Sequence, residues 1–285
     1  TEKLVLVTGA CGEIGQALVQ GLAKQGGYRI VTADLAPLPE SIKAMSAEHA
    51  QGDLVYKIKT FYDYDFDVVF HLAGIAHQNA QASAYRELNE LATLQLARLS
   101  AAAGVACFVF LSSVKAMGAA ADDSERAEPD GGAPADPYGW SKWSAENALQ
   151  AEFAHGPMAV VILRPALVYG PAAKGNLALL ARGVRAGLPR PPPLGARSMV
   201  ALADLVELLG IVPADARPGV QTWIVTDGQR YSTRYIYDQL RLAAGMGVGR
   251  AWLPTPAWRL AAALLDLRGG RRVDSTFAKL FGTDL

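Results

Sequence analysis

The chain has little cysteine, no surplus of either charge and no long apolar run, and each shortage removes a class of function. Two cysteines, Cys11 and Cys107, allow at most one disulfide, and neither stands in a Cys-x-x-Cys or metal-ligand spacing. No metal site is therefore expected, and a reducing, cytoplasmic setting is the simplest reading. Lysine plus arginine and aspartate plus glutamate balance at 27 each, so there is no electrostatic footprint for nucleic acid or an anionic membrane, although single basic groups remain free to bind a phosphate. The most apolar helix candidate, Ala257 to Leu267, is short and interrupted by Arg259 and Asp266, and no leader segment precedes the first strand, so a soluble protein is expected. Internal repeats and low-complexity tails are absent too. With 285 residues the chain can bury one large domain or two modest ones.

What is present begins with the apolar run Lys3 to Val7, the turn Thr8-Gly9-Ala10-Cys11-Gly12-Glu13-Ile14-Gly15 and an amphipathic stretch from Gln16 to Lys24. This is a strand, a glycine-rich turn and a helix. Glycines at 9, 12 and 15 permit a tight turn, close approach to a pyrophosphate and packing of helix on strand, while the helix N-terminus offers N–H groups to phosphate. Cys11 is read as a small turn residue. A second strand, Tyr28 to Ala33, delivers Asp34 nineteen residues after Gly15, where a dinucleotide fold needs an acid for ribose hydroxyls; capping the turn is the other role open to it. An aspartate there repels a 2′-phosphate and favours NAD over NADP.

Ser41 to His49 reads as helix-compatible, and Gly52-Asp53-Leu54 places a carboxylate either near an adenine amino group or simply in a turn. The strand Asp67 to Phe70 runs into His71-Leu72-Ala73-Gly74, whose small last residues let a flat ring lie against the backbone. His71 is read as a packed, hydrogen-bonded histidine, and His77 as a loop cap. Ala80 to Ala103 is a long helix in which Asn89 is out of place, being either solvated or an amide tying the helix to backbone near a site. Cys107 to Leu111 is a buried strand that ends in Ser112-Ser113, where open α/β sheets bind ligands and where serines also serve local hydrogen bonding. Ala120 to Asp136 is a polar loop or lid.

It leads into Tyr138-Gly-Trp-Ser-Lys142. On a helix, residues four apart share a face, so phenol and ammonium stand side by side. Of ten tyrosines only Tyr138 has a lysine four residues later, and such a cation lowers a phenol pKa, making Tyr138 a general acid or base. Ala159 to Leu163 is another strand, continuing into Arg164-Pro165-Ala166-Leu167-Val168-Tyr169-Gly170-Pro171. The alternation of strand and helix predicts an α/β fold, a Rossmann-type doubly wound parallel sheet over 1–170. A smaller, irregular C-terminal lobe is expected over 171–285, with a strand at Thr222 to Val225 free to join the sheet or its edge. In that lobe Asn176 to Ala186, Ser232 to Ala244 and Pro256 to Leu267 read as helices, Leu188 to Leu194 as a proline-rich loop, Arg197 to Ala203 as a short strand, and Asp204 as the cap of a helix from Leu205 to Val212.

Taken together, Thr-Gly-Ala-x-Gly-x-Ile-Gly at 8–15, the acid at 34, Gly-Asp-Leu at 52–54, His-Leu-Ala-Gly at 71–74, Asn89, Ser112-Ser113, Tyr138-x-x-x-Lys142 and Leu-Arg-Pro-x-x-Val-Tyr-Gly-Pro at 163–171 resemble the extended short-chain dehydrogenase/reductases. Within them the likeness is to nucleotide-sugar epimerases and reductases. The resemblance implies Tyr138 as acid/base, Lys142 as the group that holds the nicotinamide ribose and depresses the phenol pKa, and Ser113, five residues before Gly118, as the hydrogen-bond partner of the reacting sugar oxygen. It further implies NAD held by Gly9, Gly12, Glu13, Ile14, Gly15, Asp34, Asp53, Leu54, Leu72, Ala73, Gly74, Asn89, Ser112, Tyr138, Lys142 and Pro165. A UDP-sugar is implied at Ser113, Tyr138, Asn176 and Arg197, the last lying seven residues before Asp204, with the arginines near 271 as further phosphate partners. Val114 and Lys115 stand where sugar dehydratases of this family carry an Asp-Glu pair, which disfavours dehydration. The Ser-Ser-Val-Lys and Tyr-Gly-x-Ser-Lys-Trp runs are similar to bacterial enzymes of surface-polysaccharide synthesis. The implied activity is 4-epimerisation or, as the alternative, reduction of a UDP-4-keto sugar, with a non-catalytic dinucleotide sensor as a third reading. A homodimer through helices at 81–103 and 138–154 is also implied.

Overall fold

The computed structural model describes residues 2–57, 61, 64–76, 80–119, 124–171, 175–250, 253–268 and 283–284, without the side chains of 175–176, 265–268 and 283–284. The elements are β1 Lys3–Thr8, α1 Glu13–Gln25, β2 Tyr28–Asp34, α2 Glu40–Lys43, β3 Glu48–Gln51, α3 Leu54–Lys57, β4 Val68–His71, α4 Ala82–Tyr85, a π-helical turn Arg86–Ala92 and α5 Thr93–Ala102. There follow β5 Cys107–Leu111, a 3₁₀ turn Val114–Met117, α6 Pro137–Phe153, β6 Ala159–Pro165, β7 Leu167–Tyr169, α7 Gly175–Arg185, β8 Ala196–Arg197 and β9 Met199–Ala201. The chain closes with α8 Leu202–Asp215, β10 Gly219–Val225, α9 Thr233–Ala243, α10 Thr255–Arg268 and β11 Thr283–Asp284.

Two compact units result. The first comprises Thr1–Ala119, Ala127–Ala166 and Val200–Val225. Its seven strands are all parallel, in the order β3-β2-β1-β4-β5-β6-β10. Neighbours of β1 lie on both sides, so the winding reverses beside it, and a crevice opens at the carboxyl ends of β1 and β4. The central strands read as unbroken apolar runs because both faces are covered: all five residues of β5 are buried. Leu96, Leu99, Leu149 and Phe153 from α5 and α6 pack with Phe108, Phe110, Leu6 and Val69 of the strands, while α1 packs against α8.

Three expectations need correction. Ser41 to His49 is not one helix: α2 stops at Lys43, and Glu48–Gln51 pairs with β2 as the edge strand. A polar edge strand carries no apolar alternation, so periodicity misses it. The long helix starts at Ala82 and contains a π turn around Asn89. Finally, α8 begins at Leu202 with Ala201 at its N-cap, so Asp204 sits in the first turn, where an acid favours the helix dipole, rather than at the cap.

The second unit comprises Ala120–Arg126, Leu167–Met199 and Thr226–Leu285. Leu177, Met199 and Ile236 form its buried centre, with Leu180, Tyr231 and Leu240 packed against them. β8 pairs with β11. The proline-rich segment is fastened to α9 by a two-pronged Arg190–Asp238 ion pair at 2.6 and 2.9 Å and by Tyr237 Oη donating to the Leu188 carbonyl at 2.7 Å. No described helix is long and apolar enough to cross a membrane.

Candidate active site at the carboxyl edge of the sheet

β1 ends in a turn that only glycine fits. Gly9 has φ 72°, and a Cβ there would lie 2.6 Å from Ala73 N; one on Gly15 would lie 2.2 Å from the Gly9 carbonyl oxygen. The turn therefore lies flat on the end of β4, and Gly12, Glu13 and Ile14 open α1 with first-turn N–H groups that no intrahelical carbonyl satisfies. Asp34 at the end of β2 accepts from Cys11 N at 2.9 Å and from Ala36 N at 3.0 Å. It thus caps its own turn and stands against the glycine turn at once. Asp53 accepts from Val55 N at 3.0 Å, the turn role, and Leu54 beside it is buried. Burial and the Asp34 carboxylate push the Cys11 thiol up to about 11, away from redox reactivity.

A second set of groups comes from β5 and α6. Ser112 donates through Oγ to the Glu146 carboxylate, and Ser113 caps the 3₁₀ turn by accepting from Lys115 N at 3.2 Å. Asp136 caps α6 by accepting from Gly139 N at 2.9 Å, and Pro137 follows it, which sets Tyr138 in the first turn. Tyr138, Lys142 and Glu146 then succeed one another at helical spacing on one face. Burial pushes the Tyr138 phenol up to about 12, opposed by its hydrogen bond with Ser113 and aided by the Asp136 carboxylate. Burial also lowers Lys142 to about 8, against the Glu146 carboxylate that raises it.

The expectation that Lys142 depresses the Tyr138 pKa does not hold in this structure. The ammonium donates to the Leu111 carbonyl at 2.8 Å and lies 4.5 Å from the Phe110 ring centroid, so its charge is engaged on the strand, and desolvation governs the phenol.

Asn89 is the amide that ties helix to backbone. Fully buried, it accepts from Ile75 N at 2.8 Å through Oδ1, and its Nδ2 donates to the Ile75 carbonyl and to Ser141 Oγ, both at 3.0 Å. A Cβ on Gly74 would lie 2.9 Å from Asn89 Oδ1 and 3.3 Å from Lys142 Nζ. Leu72, Ala73 and Gly74 thus form a bare backbone floor between the glycine turn and Lys142. Pro165 ends β6 opposite Val225. Sequence reasoning missed Glu146, although its place four residues past Lys142 was the available signal, and assigned no role to Arg164, whose guanidinium clasps that carboxylate at 2.7 and 3.1 Å. Arg197 lies in the second unit, exchanging backbone hydrogen bonds with Tyr231 at 3.0 and 3.1 Å. His77, the Asn176 side chain, Arg271 and Arg272 fall outside the described residues. Among the described residues, no group of three or more His, Cys, Asp or Glu is arranged to hold a metal ion.

A doubly wound sheet with a glycine turn at its crevice is the arrangement of a dinucleotide-dependent enzyme. The profile of the NAD dependent epimerase/dehydratase family matches residues 5–207. UDP-glucose 4-epimerase of Vibrio cholerae is 32% identical over 275 residues, covering 90% of this chain and 80% of that one. Among solved structures, MoeE5 in complex with UDP-glucose and NAD is 28% identical with TM-score 0.73, covering 87% of this chain and 84% of that one. The UDP-glucose 4-epimerase of Thermus thermophilus, in complex with NAD, superposes with TM-score 0.73 at 24% identity, covering 95% and 94%, a likeness of fold. The chain belongs to the NAD dependent epimerase/dehydratase family.

Proposed function

We propose that the protein is a nucleotide-sugar 4-epimerase acting on a UDP-sugar, with Tyr138 as its acid/base. The observation that carries this reading is the meeting of the Ser113 and Tyr138 hydroxyls at the carboxyl end of β5, beside the bare floor at Gly74 and the Lys142 ammonium. It is supported by the relative in Vibrio cholerae.

The residues present suit NAD: the glycine turn opens α1 with first-turn N–H groups free for a pyrophosphate, Asp34 offers a carboxylate to ribose hydroxyls, and Gly74 puts no side chain beside Lys142. When bound, NAD supplies a hydride acceptor and donor. With NAD bound, Lys142 would hold the ribose, and its charge would favour the Tyr138 phenolate. Ser113 holds the C4 oxygen of the sugar; Tyr138 takes the hydroxyl proton as the C4 carbonyl forms and, once the keto sugar has turned over, returns it as the other face of the carbonyl is reduced. Arg197 and Asn176 are the residues proposed for the nucleotide phosphates and sugar. The reading includes a homodimer through helices at 81–103 and 138–154, supported by exposed Leu91 and Trp140.

Incubating the purified protein with a panel of UDP-sugars, with proton NMR for the product and absorbance for nicotinamide, tests the reading. Isomerisation with no net nicotinamide change is expected. Stoichiometric consumption of reduced nicotinamide with a 4-keto sugar, and no isomerisation, would replace it with the reductase reading.

A further inference from the structure

Beneath the glycine turn runs a chain of buried polar groups that this chemistry does not use. His71 is fully buried, with Nδ1 2.8 Å from Thr8 Oγ1 and Nε2 2.8 Å from Thr93 Oγ1. The direction of each bond follows from the two ends. Thr93 Oγ1 lies 2.8 Å from the Asn89 carbonyl oxygen, which can only accept, so the one hydroxyl proton of Thr93 goes there. Toward His71 it can then only accept, and Nε2 carries a proton. At the other end Ala73 N–H donates to Thr8 Oγ1 at 3.3 Å. Thr8 keeps its own proton for a bare Nδ1. A cationic ring would have to donate on both sides and would leave the Thr8 proton without a partner.

The burial of the ring, with the Lys142 charge adding to it, holds its pKa down at about 3. From Asn89 the chain continues to Ser141 Oγ at 3.0 Å, and Ser141 donates to the Tyr138 carbonyl at 2.8 Å. One directed series of hydrogen bonds therefore joins β1, β4, α5, the π turn and α6.

We propose that His71 is a positioning residue: as the neutral Nε2–H tautomer it fastens the glycine turn and the Ala73 floor to the π turn that presents Asn89, fixing the dinucleotide platform relative to Tyr138. The kcat part of its test rests on the proposed epimerase reading; the tautomer and NAD-binding parts do not.

The chain has four histidines, so replacing His49, His77 and His155 leaves His71 as the one ring visible in a long-range proton–nitrogen correlation spectrum. The expected spectrum has Nε2 protonated and Nδ1 bare, unchanged from about pH 5 to about pH 8. An Nδ1–H tautomer, or a midpoint near the ordinary value of about 6.5, would overturn the proposal. This measurement needs no variant at position 71. The second arm separates the two halves of the link. His71→Asn places an amide oxygen near the Nδ1 position and keeps the Thr8 partner; His71→Gln places an amide N–H near the Nε2 position and keeps Thr93. NAD affinity is expected to stay within about twofold in His71→Asn while kcat falls about tenfold, and NAD affinity to weaken about tenfold in His71→Gln. Equal losses of affinity and kcat in both variants, or no loss in either, would reduce His71 to packing. Should the wild type turn over no UDP-sugar, the epimerase reading fails while the spectrum and the NAD affinities still judge His71.

Discussion

Glu146 and Arg164 form a two-pronged ion pair whose side chains are only 6% and 13% exposed, directly beneath the serine pair that ends β5. The same guanidinium donates to the Glu128 carbonyl at 2.8 Å, and the Glu128 carboxylate accepts from Ile224 N at 3.0 Å. Glu128 is thereby anchored to β6 and β10. Breaking such a pair leaves a buried charge alone, which costs about 3–5 kcal/mol, whereas replacing both partners with apolar groups is close to neutral. Urea denaturation is expected to show a loss of that order for Glu146→Gln and a markedly smaller one for the double variant Glu146→Leu/Arg164→Met.

Lys142 makes the fold sensitive to pH. Its pKa is about 8 when folded, below the ordinary 10.5, so between those values the unfolded chain holds more protons and stability rises with pH. Below about 8 the cost of burying the cation is fully present. The rise from pH 7 to pH 9 is about 1 kcal/mol. Above 9.0 the two thiols, raised to about 11 for Cys11 and about 12 for Cys107, act with the opposite sign, since the folded state then keeps protons the unfolded chain has lost. The urea midpoint should therefore increase from pH 7 to pH 9 in the wild type and show no increase in Lys142→Met. Because the Glu146 carboxylate raises Lys142, Glu146→Gln should shift the lysine's NMR titration further down.

We propose that Asp34 governs the choice of dinucleotide by charge. With its carboxylate fixed by Cys11 N and Ala36 N, a 2′-phosphate would meet an anion that cannot turn away. Asp34→Asn should raise NADP affinity relative to NAD by about tenfold, about 1.4 kcal/mol, read by isothermal titration with each cofactor.

Gly15 admits no side chain, since a Cβ would lie 2.2 Å from the Gly9 carbonyl oxygen. Gly15→Ala must push α1 off the turn and is expected to abolish measurable NAD binding. Thermal unfolding should also move to lower temperature.

Tyr138→Phe removes the hydroxyl proposed as acid/base but leaves the ring contact with Tyr85, whose centroid is 6.3 Å away. Turnover should fall by about 10² to 10⁴-fold. NAD affinity and the unfolding midpoint should stay close to wild type.

How much of this was legible beforehand depended on whether a residue's partner was near in sequence. The buried strands and the glycine turn announce themselves through apolar runs and a local spacing, so β1, β4, β5 and β6 are readable. β3 is not, because Glu48–Gln51 is polar and becomes a strand only by pairing with β2. Asn89 stands out as a polar residue in an apolar helix, yet its partners Ile75 and Ser141 are 14 and 52 residues away, and the π turn that presents it leaves no mark in the pattern. Tyr138 and Lys142 are visible as a pair; that Lys142 points to the Leu111 carbonyl 31 residues back is not. Asp34 takes the turn-capping role that its position allowed, accepting from Cys11 N and Ala36 N, while its ribose role belongs to the proposal.

The central claim is that one C4 hydrogen leaves and returns as a hydride while Tyr138 handles the proton. UDP-glucose deuterated at C4, incubated in ordinary water, measures this directly by mass spectrometry and NMR of the C4 epimer. Retention of deuterium at C4 with no net change in nicotinamide is the predicted result. Loss of the label to solvent, or product formed only in step with nicotinamide consumed, would contradict it.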